Sequence, residues 1–207
     1  PSPEHAVAHV EVAGRGISVT AETNGSRQTL HFKEMKLSAD FKPQSAQIQS
    51  TVSLNDGGEL KADIAVADPL TKRQLSGSVT VDEVQLAQFN PVLASVSPQL
   101  SANGKLSAEL KPRGTLEKPA LYGDIKLDAF TAQGQAVPLD MKPSNVMLHF
   151  EGDQSELIAD LETAQGKIRV SGNAQWSDPE NPTARVSVKG DKVRVSLPPY
   201  VTAHVTP

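Results

Sequence analysis

Apolar and polar residues alternate along most of the chain with a period of two, and the pattern restarts again and again. It is legible in Ala46-Gln47-Ile48-Gln49-Ser50-Thr51-Val52-Ser53-Leu54, in Leu60-Lys61-Ala62-Asp63-Ile64-Ala65-Val66, and in Leu121, Gly123, Ile125 and Leu127. It returns in Val146, Leu148 and Phe150, in Ile168, Val170, Ala174 and Trp176, in Val186 and Val188, and in Val193, Val195 and Leu197. Residues i and i+2 of a strand share a face, so each run predicts a strand with one apolar and one wet side. Turn chemistry separates the runs: Asn24-Gly25, Asp56-Gly57, Gly152-Asp153, Gln165-Gly166 and Gly190-Asp191. Such pairs supply the positive φ angles of tight hairpins. The reading is all-β: roughly sixteen strands joined mostly by short hairpins, hence antiparallel neighbours.

One stretch breaks the period. In Val81-Asp82-Glu83-Val84-Gln85-Leu86-Ala87-Gln88-Phe89-Asn90-Pro91-Val92-Leu93, Asp82 can cap, Glu83 falls in a first turn, and Val84, Ala87 and Phe89 lie near helical spacing. This predicts one short helix around 83–96, with Pro91 limiting its first part, that caps the sheet. Residues 82–98 then mark a seam between two β segments of a single elongated domain covering 1–207. A loose repeat of apolar, polar, Gly, polar, apolar recurs within Leu75–Val81, Leu100–Leu106, Leu121–Leu127 and Val170–Trp176. Glycine inside a strand marks a bulge, a bend or close backbone approach.

The alternation assigns Ile48, Val52, Leu54, Leu60, Ile64, Val66, Leu75, Val79, Leu106, Ile125, Leu127, Val146, Leu148, Phe150, Ile168 and Val170 to the apolar side as candidate groove-lining residues. Val10, Val12, Ile17, Val19, Leu30 and Phe32 join them, and Lys61, Asp63, Asp124 and Lys126 belong outside.

Composition sharpens this picture. Aromatics are only 4% of the 207 residues, so the apolar side is a thin layer of Val, Leu, Ile and Ala. Such a layer suits a narrow sandwich or an open groove. Mean hydropathy is −0.32, and no segment approaches the ~18 consecutive apolar residues of a membrane-spanning helix. The start Pro1-Ser2-Pro3-Glu4 reads as a fragment or a processed chain. A net charge of −4 argues against nucleic acid or an anionic membrane surface as the main partner. The lack of cysteine excludes disulfides and thiolate metal sites.

Catalytic chemistry is hard to find. His5 and His9 are four apart in a strand pattern, which does not present both to one metal. His31, His149 and His204 read as isolated surface or core-edge residues. The acidic residues sit at wet strand positions, and no nucleophile triad, phosphate loop or ligand cluster appears. Trp176 closes an apolar strand face as a packing residue. The expectation is a protein that is not an enzyme and uses no cofactor or metal, its function residing in the apolar face.

One run carries a resemblance. Leu100–Leu110, then Pro112-Arg113-Gly114-Thr115-Leu116-Glu117-Lys118-Pro119, then Leu121–Phe130, resembles the AsmA-like family of inner-membrane-anchored periplasmic proteins, the translocation and assembly module proteins in particular. In these proteins a Gly-Thr-Leu-x-x-Pro run leads into an x-Gly-x-Ile-x-Leu strand. The ending Leu197-Pro198-Pro199-Tyr200-Val201 resembles the region where their C-terminal domain begins. The similarity covers most of the chain, most clearly 75–207. It implies an elongated sheet folded over like a taco shell around an apolar groove. It implies a periplasmic location, an inner-membrane anchor outside this chain, and a TamA-like outer-membrane β-barrel partner reached through regions also outside it. The implied function is conduction of phospholipid acyl chains toward the outer membrane, in support of outer-membrane protein assembly and autotransporter secretion.

The residues fit that implication. Each buried CH₂ is worth ~0.8 kcal/mol, so a tail moving between similar aliphatic positions loses little. Two other readings stay open: a chaperone-like scaffold pairing with strands of outer-membrane protein substrates, and a closed β-sandwich acting as a spacer.

Overall fold

The structure is a computed structural model that describes residues 7–23, 25–137, 140–190 and 203–206. Twelve strands form one sheet in strict chain order. They are β1 (Ala8–Thr23), β2 (Ser26–Lys42), β3 (Ser45–Leu54), β4 (Glu59–Ala67), β5 (Gln74–Gln85), β6 (Ser101–Gly114), β7 (Pro119–Gln133), β8 (Met141–Gly152), β9 (Gln154–Thr163), β10 (Gly166–Gln175), β11 (Thr183–Gly190) and β12 (Ala203–Thr206). Each of the first eleven pairs antiparallel with its chain neighbours, and β12 joins β11 in parallel. The fold is all-β and mostly antiparallel, a single curved sheet of the taco-like kind. Twelve rather than sixteen strands are described because single strands run long. Val10, Val12, Ile17 and Val19, for example, all belong to the 16-residue β1. The predicted run through Val193–Leu197 and residue His5 lie outside the described residues.

Register turns sequence alternation into two faces. Residues directly opposite on antiparallel neighbours share a face. One row crosses eleven strands as Gly14, Met35, Val52, Leu60, Val81, Ala108, Ile125, Leu148, Leu157, Gly172 and Val186, apolar throughout. The neighbouring row on the other face reads Ala13, Lys36, Thr51, Lys61, Thr80, Glu109, Asp124, His149, Glu156, Asn173 and Arg185.

The sheet bends where its register slips. Slips occur between Phe32 and Glu34, Val81 and Val84, Asn103 and Lys105, Leu127 and Phe130, and Lys142 and Asn145. The last four lie close to the row Val84, Leu106, Leu127, Val146. A bulge bends its strand and sharpens the twist, so bulges aligned on successive strands make a crease. Most of the core gathers at this end of the strands. Leu54, Val84, Ala102 and Ile168 are buried there, with Ser144 and Thr163. The two hydroxyls are satisfied: Ser144 Oγ donates to the Lys142 carbonyl and accepts from the Glu162 N–H, and Thr163 Oγ1 donates to the Gly166 carbonyl.

Two repeat glycines explain the tight ladder. Gly77 and Gly123 have φ of +116° and +122°, and a Cβ at either would lie 1.9 Å from a neighbouring carbonyl oxygen, of Asp63 and Glu109 respectively. Only a residue without a side chain fits both constraints.

The helix comes later than its sequence pattern predicts. Asp82, Glu83 and Val84 remain in β5, a one-turn 3-10 segment covers Leu86–Phe89, and α1 runs Asn90–Val96. Two forces explain the shift. Val84 continues the apolar face opposite Leu106 and is 1% exposed, so burial holds it in the strand. Pro91 opens α1 instead of ending a helix, since proline costs nothing in a first turn whose N–H groups lack partners. The insert straps one end of the sheet. Gln88 donates to the Gly57 carbonyl and accepts from the Asp56 N–H, Asn90 accepts from the Ala102 N–H, and α1 packs against β2 and β6.

The face is only partly covered. The accessible surface is 13362 Å². A compact protein of 22.0 kDa would expose about 9,300 Å².

Candidate functional site

All sixteen candidate residues fall on the apolar face. Ile48 pairs with Ile64, Val52 with Leu60, and Val66 with Leu75. Val79 stands opposite Leu110, and Leu54 opposite Phe32. Leu106 pairs with Leu127, Ile125 with Leu148, Leu127 with Val146, Phe150 with Gly123, Ile168 with Leu161, and Val170 with Ala159. Their cover differs. Leu54 and Ile168 are 4% and 2% exposed, Ile48 is 43% exposed, and the other thirteen are half-buried. Lys61, Asp63, Asp124 and Lys126 occupy the opposite face.

Openness is concentrated on the first three strands. Val10, Val12, Val19, Leu37, Phe41 and Ile48 are each more than 40% exposed, and all lie on the apolar face of β1–β3. At the other side of the sheet, Ala159, Ile168 and Val188 are at most 5% exposed. Trp176 helps there: it follows β10, its indole N–H donates to the Pro119 carbonyl at 2.9 Å, and its ring lies 6.2 Å from that of Phe150. The packing role read from the sequence fits this position.

The polar face holds the ionisable groups. His149 Nδ1 lies 2.7 Å from Asp124, directly across the ladder, and Nε2 lies 2.9 Å from Glu151, two residues along β8. The hydrogen bond with Asp124, then that with Glu151, raises the imidazole pKa above its ordinary value. His9 repeats the arrangement with Asp40 opposite at 2.6 Å and Glu11 two residues on, and its pKa is raised chiefly by Asp40. His31 Nδ1 meets Ser18 Oγ at 2.9 Å. So His149 is not isolated. The partner it lacked in the sequence is 25 positions away and becomes adjacent only through register, whereas the local sign, His-x-Glu on one strand face, was visible.

A pH prediction follows. A raised folded pKa gives stability that is complete below the unfolded value and is lost as pH rises through the folded value. Replacing His149 by Gln should therefore lower the melting temperature more at about pH 5.5 than at about pH 8. Melting curves of both proteins at the two pH values check this.

Two hollows are lined by mixed polar and apolar residues. One of about 590 Å³ is lined by Glu11, Lys36, Gln49, Thr51, Lys61 and Asp63, with the Asp63 carboxylate already accepting from Gln47 and Gln49. Another of about 830 Å³ lies among Gln154, Asn173, Gln175, Thr183 and Arg185. Neither brings a nucleophile against a base. Among the described residues no group of three or more His, Cys, Asp or Glu could hold a metal ion, and no helix is long and apolar enough to cross a membrane.

The model for the family described as "TamB, N-terminal domain" matches residues 2–127, well over half of the chain. The chain belongs to the TamB family. A TamB relative, the translocation and assembly module subunit TamB of Haemophilus influenzae, is 24% identical over 178 residues. The alignment covers 86% of this chain but only 14% of the relative, so the chain spans about one seventh of that protein's length. The sequence resemblance was clearest in 75–207 and placed the chain beside a C-terminal domain. The TamB match lies mainly in the first half and carries the N-terminal description. No solved structure matches the chain.

Proposed function

We propose that this chain is a periplasmic segment of an inner-membrane-anchored TamB-type bridge, and that its apolar face is a groove conducting phospholipid acyl chains toward the outer membrane. In this role it supports outer-membrane protein assembly and autotransporter secretion, with a TamA-like outer-membrane β-barrel engaged by other parts of the protein. The chain acts as one elongated β unit across 1–207, the strap at 82–98 being a seam in it, and works without catalysis or cofactor. The observation that carries this reading is the row from Gly14 to Val186, apolar on every one of eleven successive strands. Fully burying a Val, Leu or Ile side chain is worth about 1.5–3 kcal/mol. A face that leaves Val12 58% exposed forgoes much of that gain unless something apolar covers it. An acyl chain, lacking polar atoms to satisfy, is the simplest cover. The sixteen candidate residues would line its path.

A second reading has its own observation. Among the described residues β1 pairs only with β2, so its other edge is a 16-residue row of free backbone groups beside exposed Val10, Val12 and Val19. Such an edge accepts a strand of an unfolded outer-membrane protein. The ligand separates the two. A photo-crosslinking residue at Ile48 in the protein in cells should give phospholipid adducts, and an organic extract of the purified chain should contain phospholipid by mass spectrometry. Adducts with polypeptide alone, with a lipid-free extract, would replace the conduit by the scaffold.

A further inference from the structure

The two ends of the strands differ in cover, and the open end carries a local cationic patch. At the strapped end, turn 55–58 and the neighbouring strand ends carry Asp56, Glu59, Asp82 and Glu83, with Lys33 in a hollow shared with Glu59, Asp82 and Glu83, and Lys105 opposite Gln85. The opposite rim is basic on its β2–β7 side only, since its further loops carry Asp153, Asp178 and Glu180 and no Lys or Arg. On the β2–β7 side, the end of β2 and the loops at 68–73 and 115–118 carry Lys42, Lys72, Arg73 and Lys118, all exposed, against Asp68 and Glu117. These loops form one cluster. The Asp68 N–H donates to the Gln44 carbonyl at 2.9 Å, the Leu116 N–H donates to the Arg73 carbonyl at 3.0 Å, and Arg73 pairs with Glu117 at 2.7 Å. With Arg73 committed to Glu117, the lysines are the cations left to face a ligand.

Two further facts make this rim unusual. Leu70 and Leu116, on the same loops, are 60% and 54% exposed. The apolar face also runs out to this rim, ending in Phe41, Val66 and Leu75, with Phe41 43% exposed. Apolar surface leading to a cationic border is complementary to an amphiphile with an anionic head.

We propose that the rim of Lys42, Lys72 and Lys118 binds the phosphate of a phospholipid headgroup whose acyl chains lie on the apolar face. The assignment deepens, and rests on, the lipid reading above. It gives the ligand an orientation: tails point toward the strap and crease, where the face is buried, and the head stands in water at the basic rim. Leu70 and Leu116 shield the first methylenes beside the head.

The test is a titration of the 207-residue chain with three probes: dihexanoyl phosphatidylglycerol below its micelle concentration, octyl glucoside as an uncharged amphiphile, and inorganic phosphate. Replacing Lys42, Lys72 and Lys118 together by Glu should weaken the phosphatidylglycerol at least tenfold and leave octyl glucoside unchanged. Raising salt from about 0.05 M to about 0.5 M should weaken the wild type in the same direction. Lys61→Glu with Lys126→Glu, two charge reversals on the polar face, should change neither amphiphile. The lysine-to-Gln triple variant serves if the Glu variant melts early. Equal weakening by the rim and polar-face variants, or none by the rim variant, overturns the rim assignment while octyl glucoside binding preserves the conduit. Inorganic phosphate competing as well as the lipid reduces the rim to a free-anion site and overturns it too. If wild type binds neither amphiphile, the conduit reading falls first and the rim assignment with it.

Discussion

Gly123→Ala is expected to destabilise the sheet by at least about 3 kcal/mol, with a fall in melting temperature of about 6–12 °C. Two independent costs add at this position. The backbone has φ +122°, a region that a residue with a side chain enters only under strain of about 1–3 kcal/mol. The new Cβ would also lie 1.9 Å from the Glu109 carbonyl oxygen. That oxygen belongs to the neighbouring strand, so β6 and β7 must separate to make room. Because the strands pair in chain order, β7 is the link between β1–β6 and the rest of the sheet. Gly57→Ala is the control: its φ is +98°, but a Cβ there meets nothing within 4 Å. It carries only the backbone cost. Thermal melts of both variants decide the matter. Equal losses would mean that strand proximity at Gly123 contributes nothing and backbone strain alone sets the requirement for glycine.

Arginine placed at two points on one face should behave in opposite ways. At Ile168, 2% exposed, the guanidinium would be buried without a partner, costing several kcal/mol, and the chain should fail to fold or melt far below the wild type. At Ile48, 43% exposed, the same side chain can lay its stem along the sheet and hold its charge in water. Ile48→Arg should therefore melt within about 1 kcal/mol of the wild type while setting a charge in the path of an acyl chain. In the full-length protein, lipid adducts at Leu127 should fall several-fold in Ile48→Arg and stay at the wild-type level in Lys61→Glu. If Ile48→Arg folds and adducts at Leu127 are undiminished, acyl chains do not pass along β3. If it unfolds instead, this part of the face is a closed core and the sandwich reading gains.

These expectations draw on different depths of information. Strand-by-strand assignment of apolar and polar positions was available from the alternation, because a period of two maps onto two faces without reference to any neighbour. Ile48, Leu60 and Ile125 could be placed on one side of their own strands from local sequence alone. The helix was located but entered too early. Asp82 and Glu83 look like a cap and a first turn, yet the pairing of Val84 with Leu106, 22 residues onward, keeps them in the strand. His149 looked isolated for the same reason: Asp124 meets it only across the ladder.

Local alternation suffices to specify an all-β chain of hairpins whose strands each have an aliphatic side. The resemblance to the AsmA-like family was also legible in the sequence, in the run from Leu100 to Phe130. Only the tertiary structure decided that all these sides join into one face, because register between strands depends on turn geometry and bulges that composition does not encode. Only it decided which part of that face is covered. Val12 and Val188 look alike in sequence, one 58% exposed and the other 2% exposed. The difference arises from position: β1 lies at an edge of the sheet, while Val188 stands near the crease where the bulges curl it. Burial is set by what arrives from elsewhere in the chain, and a strand's own pattern carries no record of that.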